Sequence, residues 1–169
     1  MLRLRPYRRS DAEYIVSWIK TERIFRFWCA DRFENYPITA DDLNDQYENS
    51  EGAEDVFHFT AYDEQGIAGH INIRFPNKND IDTVRLGYVI IDDSRRGQGL
   101  GRAMVKLALK YSTEIMGAKK VTIGVFAENA AALNCYLQSG FVQSGDIEEY
   151  SINGETWNCL ELEYTCQDA

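Results

Sequence analysis

The chain has 169 residues, 44% hydrophobic and 27% charged, with 27 acidic side chains against 18 basic ones. That length suits one domain, residues 1–169, with a core of its own, and 10 Tyr, 8 Phe and 3 Trp exclude a disordered chain. No apolar run nears the ~20 residues of a membrane span, none follows the early arginines as in a secretory signal, and a formal charge of −9 argues against a nucleic-acid partner.

Leu2–Arg5 alternates apolar and basic residues and predicts a first strand. Ser10-Asp-Ala-Glu13 reads as a capping box opening a helix that carries Ile15, Val16, Trp18 and Ile19. The aromatic, irregular stretch from Phe25 to Pro37 reads as a loop, and Thr39-Ala-Asp-Asp42 as the cap of a helix running toward Tyr47. Val56–Tyr62 and Ile67–Phe75 are expected strands joined by the turn Asp63-Glu-Gln-Gly66, and Val84–Ile91 is a third β-branched run. Leu100, Ala103, Met104, Leu107, Ala108, Tyr111 and Ile115 fall at helical spacing up to Gly117. A strand over Val121–Phe126 and a helix from Asn129 to Ser139 follow. Phe141–Tyr150 and Glu155–Tyr164 close the chain as a hairpin about Asn153-Gly154, whose residue types favour a tight turn with positive φ. The fold class implied is α+β, with a mostly antiparallel sheet.

The charge is unevenly spread. Residues 31–55 hold nine acidic side chains and one basic, residues 93–120 seven basic and two acidic, and residues 144–169 seven acidic and no Lys or Arg. A basic middle in an acidic chain predicts an anion handled there and a cationic group handled elsewhere. The cysteines Cys29, Cys135, Cys159 and Cys166 lack paired spacing, which speaks against zinc or a disulfide framework and for a cytoplasmic setting.

Arg95-Arg-Gly-Gln-Gly-Leu-Gly-Arg102 lies between an expected strand and an expected helix. Three glycines in five positions let backbone turn tightly and approach a ligand, and free N–H groups at the helix start favour a phosphate. Arg95, Arg96 and Arg102 add charge there. The nucleoside-triphosphatase loop ends in Gly-Lys-Ser/Thr, whereas Arg102-Ala103 follow Gly101 here. The dinucleotide pattern fails at its third glycine, which is Arg102, and it opens a parallel domain rather than following some ninety residues of mixed elements.

The run Tyr88-Val-Ile-Ile-Asp-Asp-Ser-Arg-Arg-Gly-Gln-Gly-Leu-Gly-Arg-Ala103 resembles the coenzyme-A loop of the GNAT family of N-acetyltransferases. Its Arg/Gln-x-x-Gly-x-Gly/Ala core is met by Arg96, Gly99 and Gly101, and a second signature appears as Asn129-Ala-Ala-Ala-Leu-Asn-Cys-Tyr136 followed by Gly140-Phe141. The order of elements also matches, with the small bacterial branch that includes ribosomal-protein acetyltransferases the most similar. The resemblance implies a mixed, twisted sheet with two splayed parallel central strands, Val84–Ile91 and Val121–Phe126, and about four helices. It implies acetyl-CoA as cosubstrate, wedged in the splay without a metal. Backbone of Val89, Ile90 and Ile91 would pair with the pantetheine arm, and one N–H would stabilise an oxyanion. Arg96, Gly97, Gln98, Gly99, Leu100, Gly101 and Arg102 would hold the phosphates.

In the same resemblance Asn129 contacts the coenzyme and Tyr136 protonates the departing thiolate; seven residues apart, they share a helix face. Asn129 is equally suited to cap that helix. The general base is missing from both places where relatives carry an acid, since Arg85 and Gly124 stand there, and Asp93 replaces a proline common before the loop. His70, Glu34, Asp82, Glu128 and a water relay are the alternatives, with His70 a candidate base or substrate contact. Trp18, Trp28 and Tyr36 would line an acceptor pocket, and Cys135 would pack in the core. The expected function is acetyl transfer to a primary amine of cationic character, on a small molecule or a peptide, by a monomer or homodimer without nucleic acid or membrane. A non-catalytic acyl-CoA sensor on the same fold is the alternative.

Overall fold

A computed structural model describes residues 1–51 and 55–166. Its strands are β1 (Arg3–Pro6), β2 (Val56–Asp63), β3 (Gly66–Arg74), β4 (Thr83–Ile91), β5 (Lys120–Phe126), β6 (Val142–Ile152) and β7 (Glu155–Thr165). Its helices are α1 (Ala12–Ser17), α2 (Glu22–Cys29), α3 (Ala40–Glu51), α4 (Leu100–Lys110) and α5 (Ala130–Gln138). One sheet runs in the order β1-β2-β3-β4-β5-β7-β6. Every described pair is antiparallel except β4–β5, which is parallel.

Period-two alternation sorts the strands' side chains onto two faces. Ile71, Ile73, Val84, Leu86, Val121 and Ile123 are buried on one face against Met104, Val105 and Ala108 of α4 and against Tyr136 and Phe141. A second core on the other face holds Ile15 and Trp18, then Phe25, Trp28 and Cys29 of α2, then Leu43 and Tyr47 of α3, and it touches Ile90. The sheet therefore lies between helical layers, and β4 contributes to both.

The expected strands form close to their predicted limits. At the closing hairpin Asn153 (φ 51°) and Gly154 (φ 79°) both adopt the left-handed conformation that the dipeptide suits. Thr39 caps α3 as expected: its Oγ1 accepts from the Asp42 N–H at 3.1 Å while the Asp42 carboxylate accepts from the Thr39 N–H at 2.7 Å.

Three expectations are corrected. The stretch read as a loop from Phe25 starts inside α2, which Thr21 caps by accepting from the Ile24 N–H at 3.2 Å. Phe25, Trp28 and Cys29 at helical spacing form its buried face. The first capping box is Arg8 with Asp11, not Ser10 with Glu13, because Asp11 turns inward to accept the Arg8 N–H at 2.9 Å. The long helix is α-helical only to Lys110 and continues as a π-turn over Tyr111–Ile115.

Candidate active site

β4 and β5 pair from Thr83–Lys120 to Leu86–Ile123, and there the ladder ends. β5 stays paired to β7 as far as Phe126–Cys159, so it is β4 that leaves. The departure starts at a bulge: Asn72 pairs with Gly87 and His70 with Ile90, so Tyr88 and Val89 together oppose the single residue Ile71. Tyr88 has φ 50°, a strained conformation for an aromatic residue. Its ring is held edge-on to Trp28 at 5.0 Å. Beyond Leu86 the β5-facing edge of β4 is left open, with backbone donors and acceptors for an extended ligand.

The opening is a cavity of about 620 Å³ lined by Tyr88, Val89, Ile90 and Ile91, by the glycine loop, and by Asn129 and Tyr136 of the following helix region. Of the loop residues expected to bind phosphate, Arg96, Gly97, Gly99, Leu100, Gly101 and Arg102 line it and Gln98 does not. Gly97 (φ 78°) and Gly99 (φ 77°) are left-handed, and Gly99 is the N-cap of α4 with no side chain capping the first turn. The N–H groups there are thus free for an anion, with the helix dipole behind them. Arg95 is not free: its guanidinium grips Asp63 with contacts of 3.2 and 2.5 Å, which ties the loop to the β2–β3 turn.

Gly99→Ala meets no neighbour within 4 Å but keeps the positive φ. That strain is ~1–2 kcal/mol. The expected result is a KM for acetyl-CoA raised roughly tenfold with little loss of kcat. Steady-state titration of acetyl-CoA checks it.

Asn129 caps α5 as expected, its Oδ1 accepting from the Ala132 N–H at 3.4 Å, and it also lines the cavity. Tyr136, two turns on, is 5% exposed yet reaches the cavity, and among the described residues its hydroxyl has no hydrogen-bond partner. Burial, with Cys135 beside it, pushes its phenol well above the usual value and keeps the proton on. Cys135 lines the cavity rather than only packing beneath it, but burial raises its thiol too, so a thiolate is disfavoured.

The positions that lack an acid are filled as a unit. Arg85 forms an ion pair with Glu161 of β7 and donates to Thr122 Oγ1 at 3.3 Å. A Cβ at Gly124 would lie 2.7 Å from the Arg85 Nη2, so the guanidinium occupies the space a side chain there would need. Glu161 pairs in register with Gly124, bringing from the next strand a carboxylate that sequence spacing could not reveal.

The other candidates lie elsewhere. His70 is fully buried with Nε2 2.7 Å from the Tyr47 hydroxyl, and burial together with nearby His58 pushes it down to about 3. It does not line the cavity. Asp82 binds Lys119 at 2.8 Å beside the start of β4, remote from the splay, and Glu34 and Glu128 are exposed. Of the three aromatics expected around an acceptor, Trp28 lines the cavity, joined by Phe27 and Ile24 of α2. Trp18 is core, and Tyr36 packs on Phe25 at 5.2 Å. The buried Arg26 fixes the segment after α2 by donating to the carbonyls of Phe33 at 2.7 Å and Glu34 at 3.1 Å.

The whole fold recurs in solved structures. The crystal structure of spermidine N-acetyltransferase from Vibrio cholerae in complex with CoA and spermine has a TM-score of 0.82 at 26% identity, covering 97% of this chain and 95% of that one. A dodecameric structure of spermidine N-acetyltransferase from the same species gives a TM-score of 0.75 at 25% identity, covering 97% of this chain and 93% of that one. In sequence, the Vibrio cholerae spermidine N(1)-acetyltransferase is 27% identical over 158 residues, covering 90% of this chain and 86% of its own length. A Bacillus subtilis spermine/spermidine N(1)-acetyltransferase is 32% identical over 86 residues, 51% of this chain and 53% of that protein. Among the described residues no cluster of His, Cys, Asp and Glu fits a metal ion, and no helix is long and apolar enough to cross a membrane. The acetyltransferase (GNAT) family model matches residues 21–141, which hold the splayed strands, the glycine loop and Tyr136 together; the chain belongs to that family and is an N-acetyltransferase that uses acetyl-CoA.

Proposed function

We propose that the acceptor is a small primary amine, protonated in solution, that meets the acetyl group on the α2 side of the splay, with Tyr136 as the general acid. The observation that carries this is Tyr136, a buried residue in the lining of a cavity walled by the open edge of β4, whose hydroxyl has no hydrogen-bond partner among the described residues. Acetyl-CoA supplies an activated thioester. The N–H groups of Val89, Ile90 and Ile91 hold its arm and stabilise charge on the carbonyl oxygen. The free N–H groups of Gly97–Arg102 hold phosphate, and Arg96 and Arg102 screen it. Tyr136 then gives its proton to the leaving sulfur.

The relatives named above act on spermidine and spermine, and the Vibrio cholerae complex contains spermine. Asp31, Glu148 and Glu161 lie outside the residues that line the cavity, and Glu161 is already paired with Arg85. The amine must lose its proton before it attacks, and since His70 is sealed in the core, a water relay fits that task. Four free cysteines are in keeping with a cytoplasmic setting.

The test is thiol release from acetyl-CoA against a panel of primary amines. Release that depends on the amine and saturates with it supports the reading. Thermal stabilisation by acetyl-CoA without release for any amine would instead establish the non-catalytic sensor.

A further inference from the structure

The cavity reaches both faces of the sheet, because its lining includes Tyr136 of one core and Trp28 of the other. The glycine loop and Tyr136 serve the coenzyme from the first side. On the second side the wall is α2, where Ile24, Phe27 and Trp28 fall at helical spacing and line the cavity together. Helix α2 thus carries two apolar stripes, this one and the buried Phe25–Trp28–Cys29 face, whereas packing on one core needs a single stripe. Ile24 and Phe27 remain half-buried, so part of their apolar surface stays open. The Phe27 ring is held against Trp157 at 5.2 Å and Phe126 at 6.3 Å, which sets the wall before any ligand arrives. Trp28 Nε1 is buried and has no hydrogen-bond partner among the described residues, so the indole presents carbon surface to the cavity.

The charges around the cavity are one-sided. Among the described residues no Asp or Glu lines it, and its charged lining, Arg95, Arg96 and Arg102, belongs to the glycine loop. Arg23 lies 5.1 Å from the Phe27 ring and 5.1 Å from the Trp157 ring, which adds a cation beside the α2 wall. An acceptor with several ammonium groups would enter without a carboxylate in the lining and against like charge. A single amine on an aromatic ring meets the opposite balance, since the ring gains apolar and aromatic contacts with the wall. The wall also bears on the base that the lining lacks. An ammonium taken out of water against apolar surface has its pKa lowered, which favours release of its proton to water before attack. The neutral nitrogen then forms the amide bond as the C–S bond breaks and the sulfur takes the Tyr136 proton.

We propose that the acceptor is a small monoamine carrying an aromatic ring, which packs on Ile24, Phe27 and Trp28, and not a polyamine. This rests on the amine acetyl-transfer reading above and names its substrate class. The cavity of about 620 Å³ must also hold the acetyl-bearing arm, which favours one ring on a short chain over a peptide.

The experiment measures kcat/KM for thiol release with phenethylamine, cyclohexylethylamine, ethylamine, spermidine, spermine and a peptide that begins with phenylalanine. Phenethylamine is expected to exceed ethylamine roughly 100-fold, because its ring leaves water, and cyclohexylethylamine about fivefold, through ring-on-ring contact. It should exceed spermidine at least about tenfold. Phe27→Ala is expected to reduce the preference for phenethylamine over ethylamine to about tenfold. Because Phe27 also packs on Trp157, Ile24→Glu supplies an independent reading at a half-buried position. It adds the missing carboxylate and should raise kcat/KM for spermidine about tenfold while lowering that for phenethylamine, a gain that misfolding cannot produce. If spermidine, spermine or the peptide leads in the wild type, or ethylamine equals phenethylamine, the proposal is wrong while amine acetylation stands. Parity between cyclohexylethylamine and phenethylamine would make the wall merely apolar and overturn the aromatic assignment. No release with any amine would remove the reading beneath it as well.

Discussion

Tyr136→Phe lowers kcat for thiol release about 100-fold and leaves the KM for acetyl-CoA within about twofold. The expectation follows from where the hydroxyl sits. Removing a phenol oxygen that bonds to nothing among the described residues leaves no orphaned partner there, so the melting temperature should hold within about 2 °C. The ring still packs toward Phe141, 6.2 Å away centre to centre, and α5 keeps its Asn129 cap. A purely structural tyrosine would show activity and stability falling together. The pH profile separates the roles further. Burial holds the Tyr136 proton well above the usual phenol range, so the wild-type rate should not decline up to about pH 10, where an ordinary phenol ionises. Below that, the rate should climb with pH as the acceptor ammonium loses its proton. The variant keeps the climb at a lower amplitude, since it retains every group facing the amine. Stopped-time thiol assays across pH 6–10 on both proteins decide the matter.

The parts of this molecule that a linear sequence announces are those governed by local backbone rules. Asn153-Gly154 allows φ above zero at both turn positions, and the hairpin forms there. Gly97 and Gly99 both take the left-handed backbone that glycine adopts at no steric cost. Thr39 and Asp42 cap each other across one turn. Such features need no knowledge of what lies across the sheet.

What was hidden depends on register between distant segments. Arg74 and Arg85 are eleven residues apart and become neighbours only through β3–β4 pairing, while Glu161 reaches Arg85 only because β7 inserts beside β5. The bulge at Tyr88 has no composition signal, for Tyr-Val-Ile-Ile is ordinary strand sequence; the aromatic contacts of Trp28 and the loss of β5 favour it. Helix α2 was masked because its apolar residues are aromatic and interspersed with Arg23 and Arg26, yet Thr21 at its start and the Phe25–Trp28–Cys29 spacing were a legible signal. The charge blocks divide the same way. Of the basic segment, Arg96 and Arg102 line the cavity, whereas Lys119 binds Asp82 at the opposite end of β4. Sequence order located the basic middle but not which of its charges face a ligand.

Asp11→Ala is expected to cost ~3–5 kcal/mol, the largest stability loss of any single polar substitution proposed for this chain. Asp11 is 1% exposed, yet its carboxylate is fully used: Arg5 binds both oxygens at 2.7 and 2.9 Å, the Arg8 N–H donates at 2.9 Å, and Thr60 Oγ1 donates at 2.7 Å. One side chain thereby joins β1, the start of α1 and β2, and α1 supplies Ile15 and Trp18 to the core beneath Ile90 and Tyr88. Without the carboxylate, the Arg5 guanidinium and the Thr60 hydroxyl lose their acceptor in a closed space. Thermal unfolding should shift down by roughly 10 °C. Burial alone would raise the Asp11 carboxyl, but the bonds from Arg5, Thr60 and Arg8 outweigh it and hold it below the usual range. A carboxylate depressed in the folded state contributes stability that is complete above its unfolded value near 3.9 and is lost as pH falls through the lower folded value. Wild-type protein should therefore lose stability steeply below about pH 4, and Asp11→Asn, which has no proton to take up, should start lower and flatten that limb. Equal slopes in the two proteins would mean that other carboxylates govern acid unfolding. Because the second core carries the bulged segment of β4, acetyl-CoA binding should weaken in Asp11→Ala before global unfolding, and adding the ligand should recover part of the lost melting temperature by mass action.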